Sequence, residues 1–286
     1  MSYKKALIKL LDRPGCRYLL GKVATRSARR IAGDETAILY LNGMWTHRIG
    51  QRFFPDGQTF TYTSSAFHQW ASQWESHISD TADFWLRHYS PREGDLVVDI
   101  GAGRGEDLIS FSHRVGKTGR VLAIEADPES FAVLSRFCQL NDLGNVTTMH
   151  LALMDTAGKV YITKSSSSWM ENGVTLGAGA SGIPVQAKTL DEICETEGLK
   201  NIAFLKMNIE GAERYALAGM EAAIKCVDQI CVACHDFRSD RGEGEHFRTR
   251  AFVERFLRDH GFVVFSRPED PRDYVRDHVF GLKTES

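Results

Sequence analysis

No apolar stretch in the chain approaches the roughly 20 residues that a membrane-spanning helix needs. There is no excess of charge of one sign either: 35 Lys and Arg stand against 37 Asp and Glu, a formal net charge of −2. A nucleic acid or an anionic membrane as principal partner calls for a basic surplus, so neither is expected. The six cysteines are scattered and do not form a disulfide framework. Cys231 and Cys234 make one CxxC, with no second pair to complete a tetrahedral metal site. They lie in the apolar run 229–234, where thiols read as core side chains. A signal peptide is not expected either: the first residues are apolar only briefly and then turn basic, which an amphipathic helix explains better, so cytoplasmic residence is the default expectation.

What is present is the composition of an ordinary globular chain, 43% hydrophobic and 25% charged over 286 residues, enough to bury a core without staples. Residues 1–35 read as helix with a break at Pro14-Gly15, and 37–62 as strands with a hairpin turn at Pro55-Asp56-Gly57. Residues 66–89 read as a helix burying Phe67, Trp70, Trp74, Ile78, Phe84 and Trp85. We expect this part, 1–90, to be a helical and hairpin extension contacting the acceptor or a second copy of the chain. From Asp95 the pattern becomes strand, helix, strand, helix. Strands are expected at 96–100, 120–125, 145–152, 160–163, 202–208, 229–234, 262–266 and 277–282, and helices to 115 and over 128–140, 212–223 and 248–260. Such alternation predicts an α/β domain over 91–286, a doubly wound, mostly parallel sheet, with the last two strands as an antiparallel edge pair. The Ser/Gly-rich segment 165–184 breaks the rhythm and reads either as a substrate lid or as a plain insertion.

The chemistry is carried by Val97-Val-Asp-Ile-Gly-Ala-Gly-Arg-Gly105. A strand ends at Asp99 and a turn follows with Gly101, Gly103 and Gly105 at alternate positions, letting the backbone approach a ligand closely. Glu125 ends the next strand, twenty residues beyond Gly105, where a carboxylate accepts hydrogen bonds from both ribose hydroxyls of a nucleoside. Dinucleotide sites read G-x-G-x-x-G and set a pyrophosphate on the helix N-terminus. Here the spacing is G-x-G-x-G directly after an Asp, which repels a pyrophosphate and suits a cofactor with an ammonium group. S-adenosylmethionine is such a cofactor. Asp99, Gly101, Ala102, Gly103, Gly105, Glu125 and Ala126 are the expected contacts, with Ala152 and Leu153 placed near the adenine by position.

Asp99 to Gly105, Ala123-Ile-Glu-Ala-Asp-Pro128, Lys188-Thr-Leu-Asp191 and Phe204-Leu-Lys-Met-Asn-Ile-Glu-Gly-Ala-Glu213 together resemble the FkbM family of class I S-adenosylmethionine-dependent methyltransferases. The likeness runs from about Gly94 to Arg238. It implies a Rossmann-like seven-stranded sheet and O-methylation of a small molecule or sugar, at a hydroxyl or carboxyl, with N-methylation of an amine or amide as the alternative. Asn208 stands where the family has Asp, and Cys234-His235 where it has Tyr-His. His235, after the strand 229–234, is the expected general base, with Asn208 and Glu210 at the same sheet edge. Glu210 reads equally as a helix cap, and Glu213 as a charge in the helix's first turn. No carboxylate and histidine cluster at the sheet edge suggests a metal, so none is expected. Two readings from other classes stay open at this level: a nicotinamide-dependent oxidoreductase, and a non-catalytic binding module on the same fold.

Overall fold

The computed structural model of the protein describes residues 3–61, 81–163, 173–175 and 182–283. The helix expected over 66–89 and the segment 165–184 therefore lie largely outside the described residues. The chain divides into two compact units, Met1–Ser79 with Ala132–Leu143, and Asp80–Phe131 with Gly144–Ser286. A stretch of a later helix, Pro128–Leu140, thus belongs to the first unit.

In the first unit, helices Tyr3–Leu11 and Arg17–Ala32 are separated at Pro14-Gly15 as expected. Strands β1 (Thr36–Leu41), β2 (Met44–Ile49) and β3 (Arg52–Gly57) form an antiparallel meander. The hairpin turn is not at Pro55-Asp56-Gly57, which belongs to β3. One turn of the meander lies at Gly50-Gln51, between the paired residues Ile49 and Arg52, and the other at Asn42-Gly43, between Leu41 and Met44. Asn42 and Gly43 both have positive φ, 49° and 89°, the requirement of a two-residue turn whose twist matches that of the strands. Leu20, Ala28, Ile38 and Trp45 form the small core. The side chain of Asn141 explains why 132–143 belongs here: its amide accepts from the Phe53 N–H at 3.0 Å and donates to the Phe53 carbonyl at 2.7 Å, pairing with β3 as a strand would.

The second unit holds the doubly wound sheet. Its first strands are β4 (Leu96–Ile100), β5 (Arg120–Glu125) and β6 (Val146–His150), after which the chain forms the four strands of a separate sheet. The intervening strands are β7 (Ala152–Leu153), β8 (Gly158–Thr163), β9 (Gly173–Thr175) and β10 (Ile183–Lys188), joined in the order β7-β10-β8-β9. With β11 (Phe204–Met207), β12 (Gln229–Ala233), β13 (Phe262–Ser266) and β14 (His278–Lys283), the seven-stranded order is β13-β14-β12-β11-β4-β5-β6. All pairings are parallel except those of β14. The chain runs outward from β4 to β6, then returns to the other side of β4 through β11. The order reverses between β4 and β11, so the ligand crevice of this fold lies beyond their carboxyl ends.

The second sheet was not expected. In β10 only Val185 and Ala187 turn inward, Ile183 is exposed, and Pro184 stands inside the strand, which weakens a strand signal read from sequence. The motif Lys188-Thr-Leu-Asp191 is capping chemistry. Thr189 Oγ1 accepts from the Glu192 N–H at 3.0 Å while Glu192 Oε2 accepts from the Thr189 N–H at 2.9 Å, a complete capping box for helix Leu190–Glu197. No described helix is long and apolar enough to cross a membrane.

Candidate active site

The glycine turn is built from two strand ends. The N–H groups of Gly101 and Ala102 both donate to the Ile124 carbonyl, at 2.9 and 3.0 Å, tying the end of β4 to that of β5. On the other side the Asn208 N–H donates to the Ile100 carbonyl at 2.9 Å. Gly101 has φ of 75°, and a Cβ there would stand 1.9 Å from the Asn208 carbonyl oxygen. Only glycine lets β4 and β11 close so tightly at the point where the strand order reverses. Gly103 and Gly105 continue the turn with φ of 58° and 95°.

Glu125 organises the rim. Its Oε2 accepts from the Gly103 N–H and its Oε1 from the Asp127 N–H, each at 2.8 Å. Burial raises its pKa to about 7, against the pull of those two N–H donors. Each oxygen keeps a second lone pair, so the carboxylate still has acceptors for two hydroxyls. Half-buried Ala126 follows, and its carbonyl is 3.1 Å from His150 Nε2, a ring stacked on Phe131. Ala152 and Leu153 are buried in β7, and their side chains face cores, so they offer a ligand only backbone groups.

Asp99 is not where the sequence expectation puts it. Its carboxylate is fully buried and paired with Lys206 at 2.8 Å, so it presents no charge to a cofactor's ammonium. Lys206 Nζ also donates to the Gly101 carbonyl at 2.9 Å, lies 3.7 Å from Asp107, and sits 5.0 Å from the centre of the Trp85 ring. Burial alone would lower the Lys206 pKa, but Asp99 and Asp107 outweigh it and hold the ammonium charged. Burial pushes Asp99 up to about 6, with Lys206 opposing. Lys206 is thus the pin that holds the turn from beneath, and the sequence reading passed over it. The signal was available: a Lys within an otherwise apolar buried strand must have a partner.

The second constellation gathers at the ends of β11 and β12. His235 is buried, with Nδ1 3.0 Å from Glu213 Oε1 and Nε2 3.1 Å from Glu210 Oε1. Although burial opposes protonation, the two carboxylates raise its pKa to about 10. Both ring nitrogens are therefore donors, and the free lone pair that a general base requires is absent from this arrangement. Glu210, at the unusual φ of 53°, also receives Arg238 Nη1 at 2.7 Å. Burial would raise its pKa, but His235 and Arg238 bring it below the ordinary value. It caps no helix. Glu213 is in the first helical turn as expected, but its carboxylate is completely buried, taking the Gly211 N–H at 3.1 Å as well as His235. Asn208 stands half-buried at the end of β11, nearest the glycine turn.

The sheet order, the glycine turn and Glu125 at the end of β5 define a class I S-adenosylmethionine-dependent methyltransferase. A family model described as the methyltransferase FkbM domain matches residues 99–264, more than half of the chain, which belongs to that family. A relative, 31-O-demethyl-FK506 methyltransferase FkbM of Streptomyces tacrolimicus, is 27% identical over 220 residues, covering 65% of this chain and 80% of its own. Solved structures that resemble the chain include fibrillarin of Aeropyrum pernix with natively bound S-adenosyl-L-methionine, at 14% identity and a TM-score of 0.43 over 73% of this chain and 75% of that one. Another is a SAM-dependent methyltransferase of Aquifex aeolicus, at 17% identity and a TM-score of 0.41 over 72% and 95%.

The tight cradle at Gly101 and the two spare acceptors of Glu125 fit the nucleoside end of this cofactor. Glu125→Ala is expected to weaken binding of S-adenosylhomocysteine by roughly ten- to a hundredfold, the loss of hydrogen bonds to a charged acceptor. Calorimetry on the folded variant measures it, and an unchanged affinity would remove Glu125 from the site.

Proposed function

We propose that the protein methylates a hydroxyl oxygen of a small-molecule acceptor. The observation that carries this is the relative matched over most of its own length, whose name states an O-methylation. S-adenosylmethionine supplies an electrophilic methyl group on a cationic sulfur, and the chain must chiefly align the acceptor and exclude water. Glu125 and the turn 101–105 would hold the nucleoside. Asn208 and Glu210, at the carboxyl edge of β11, would meet the acceptor. Glu210 keeps acceptor lone pairs on a carboxylate anchored by His235 and Arg238, suited to orienting a hydroxyl by accepting its hydrogen bond. His235 is then a positioning residue, one that fixes Glu210, and not the base.

The test is methyl transfer from isotopically labelled S-adenosylmethionine to a panel of hydroxylated, carboxylated and amine-bearing metabolites. The expected product is a methyl ether, stable to alkali. An alkali-labile ester or an N-methyl product would overturn the proposal.

A further inference from the structure

We propose that the outer face of the two N-terminal helices is a docking surface for an anionic lipid membrane. The chain's net charge is −2, but residues 1–33 carry nine Lys and Arg against a single acidic residue, Asp12. That one carboxylate is used internally. Its Oδ1 takes the Trp45 indole N–H and the Arg17 guanidinium, each at 2.9 Å, and its Oδ2 takes the Phe60 N–H at 2.8 Å. Lys9, Arg13, Arg26 and Arg30 pair with no acidic side chain among the described residues.

The same two helices also expose apolar side chains. Among the described residues ten large hydrophobic side chains are exposed, and five of them are Leu7, Leu10, Tyr18, Leu19 and Val23. Half of this class is thus gathered in seventeen residues of sequence, from Leu7 to Val23. On helix Arg17–Ala32, Leu19, Val23, Arg26 and Arg30 follow at four-, three- and four-residue spacing, one line along the side opposite buried Leu20, Gly21 and Ala28. Aliphatic side chains beside Lys and Arg are what a helix lying in a headgroup layer presents: the apolar groups insert and the cations meet lipid phosphates. The other occupants fit less well. A second copy docked face to face would set cation against cation. A nucleic acid would satisfy the cations but leave leucine and valine without a partner.

Flotation with vesicles of equal parts phosphatidylglycerol and phosphatidylcholine tests this, with phosphatidylcholine alone as control. The full chain is expected to float with the anionic vesicles and not with the control. Leu19→Glu with Val23→Glu, both at exposed positions, should abolish flotation while leaving affinity for S-adenosylhomocysteine and the melting temperature unchanged. Arg26→Gln with Arg30→Gln should weaken it roughly tenfold or more and flatten its salt dependence. The proposal fails if the parent does not float, or if the glutamate variant floats equally well. It also fails if those glutamates instead turn a dimer into a monomer in solution, or if a DNA or RNA oligomer binds where vesicles do not.

Discussion

Lys206→Met is expected to destabilise the fold by about 3–5 kcal/mol at neutral pH and to abolish measurable binding of S-adenosylhomocysteine. Breaking a buried pair by removing one partner costs on this order, because the other charge stays buried without compensation. Here that charge is Asp99, with no exposure, at the end of the central strand β4. The loss also frees the Gly101 carbonyl, which Lys206 holds at 2.9 Å, so the turn that cradles the nucleoside loses its support from below. The pH dependence identifies the cause. Asp99 already titrates at about 6 with the ammonium beside it, raised from the ordinary 3.8 by burial. Removing the ammonium raises it further. An acid with a raised folded pKa contributes its stability when protonated, in full below its unfolded pKa, and loses it as pH rises through the folded value. The variant should therefore be nearest to the parent at about pH 5 and fall away towards about pH 8. Urea unfolding at both values measures this. Asp99→Asn in the Lys206→Met background should recover part of the loss at the higher pH. A deficit that is the same at both would mean that packing of the lysine stem, not its charge, holds the site.

The strands of the main sheet were legible because their signal is local. β4, β5, β12 and β13 lie within a residue of their expected bounds, as apolar runs between turn residues. The cofactor turn was legible for the same reason, since glycines at alternate positions after a strand constrain the backbone wherever they occur. The expected antiparallel pair at the end of the chain is also found, though only β13 is an edge; β14 lies inside, against β12. What escaped were properties that depend on a partner distant in sequence. β10 is a strand because β7 and β8 lie beside it, not because its own residues insist on it. The carboxylate of Asp99 would face a ligand if Lys206, over a hundred residues later, did not reach it first. The turn at Asn42-Gly43 is local as well, two residues that take positive φ, whereas Pro55-Asp56-Gly57 lies in an edge strand, where a proline and an aspartate can also sit. For His235, position at the end of β12 was read correctly, and its protonation state was not. That state is set by Glu210 and Glu213, which approach the ring from opposite nitrogens.

His235→Ala is expected to cost about 3–5 kcal/mol of stability, because completely buried Glu213 is left with the Gly211 N–H and no cation, whereas Glu210 retains Arg238. In the parent, the His235 pKa stands at about 10 instead of 6.5. A raised folded pKa contributes stability that is complete below the unfolded value and disappears as pH climbs through the folded one. The parent should thus lose stability between about pH 6.5 and about pH 10, and the variant should lack this particular decline. Turnover distinguishes the two roles of the residue. A free imidazole acting as base would give the parent a limb near pH 6.5, which the variant would lack. An imidazolium held between two carboxylates gives no limb there, because it does not change charge in that range. Its removal should instead lower turnover by loosening Glu210, and raise the KM for the acceptor more than that for the cofactor, whose nucleoside is held at β4 and β5. Replacement by Gln, which can still donate one hydrogen bond to either carboxylate, should restore part of both stability and turnover. If the parent shows the limb near pH 6.5 and both substitutions erase it, then His235 titrates as a free base during catalysis, and the two carboxylates do not hold its proton once the acceptor is bound.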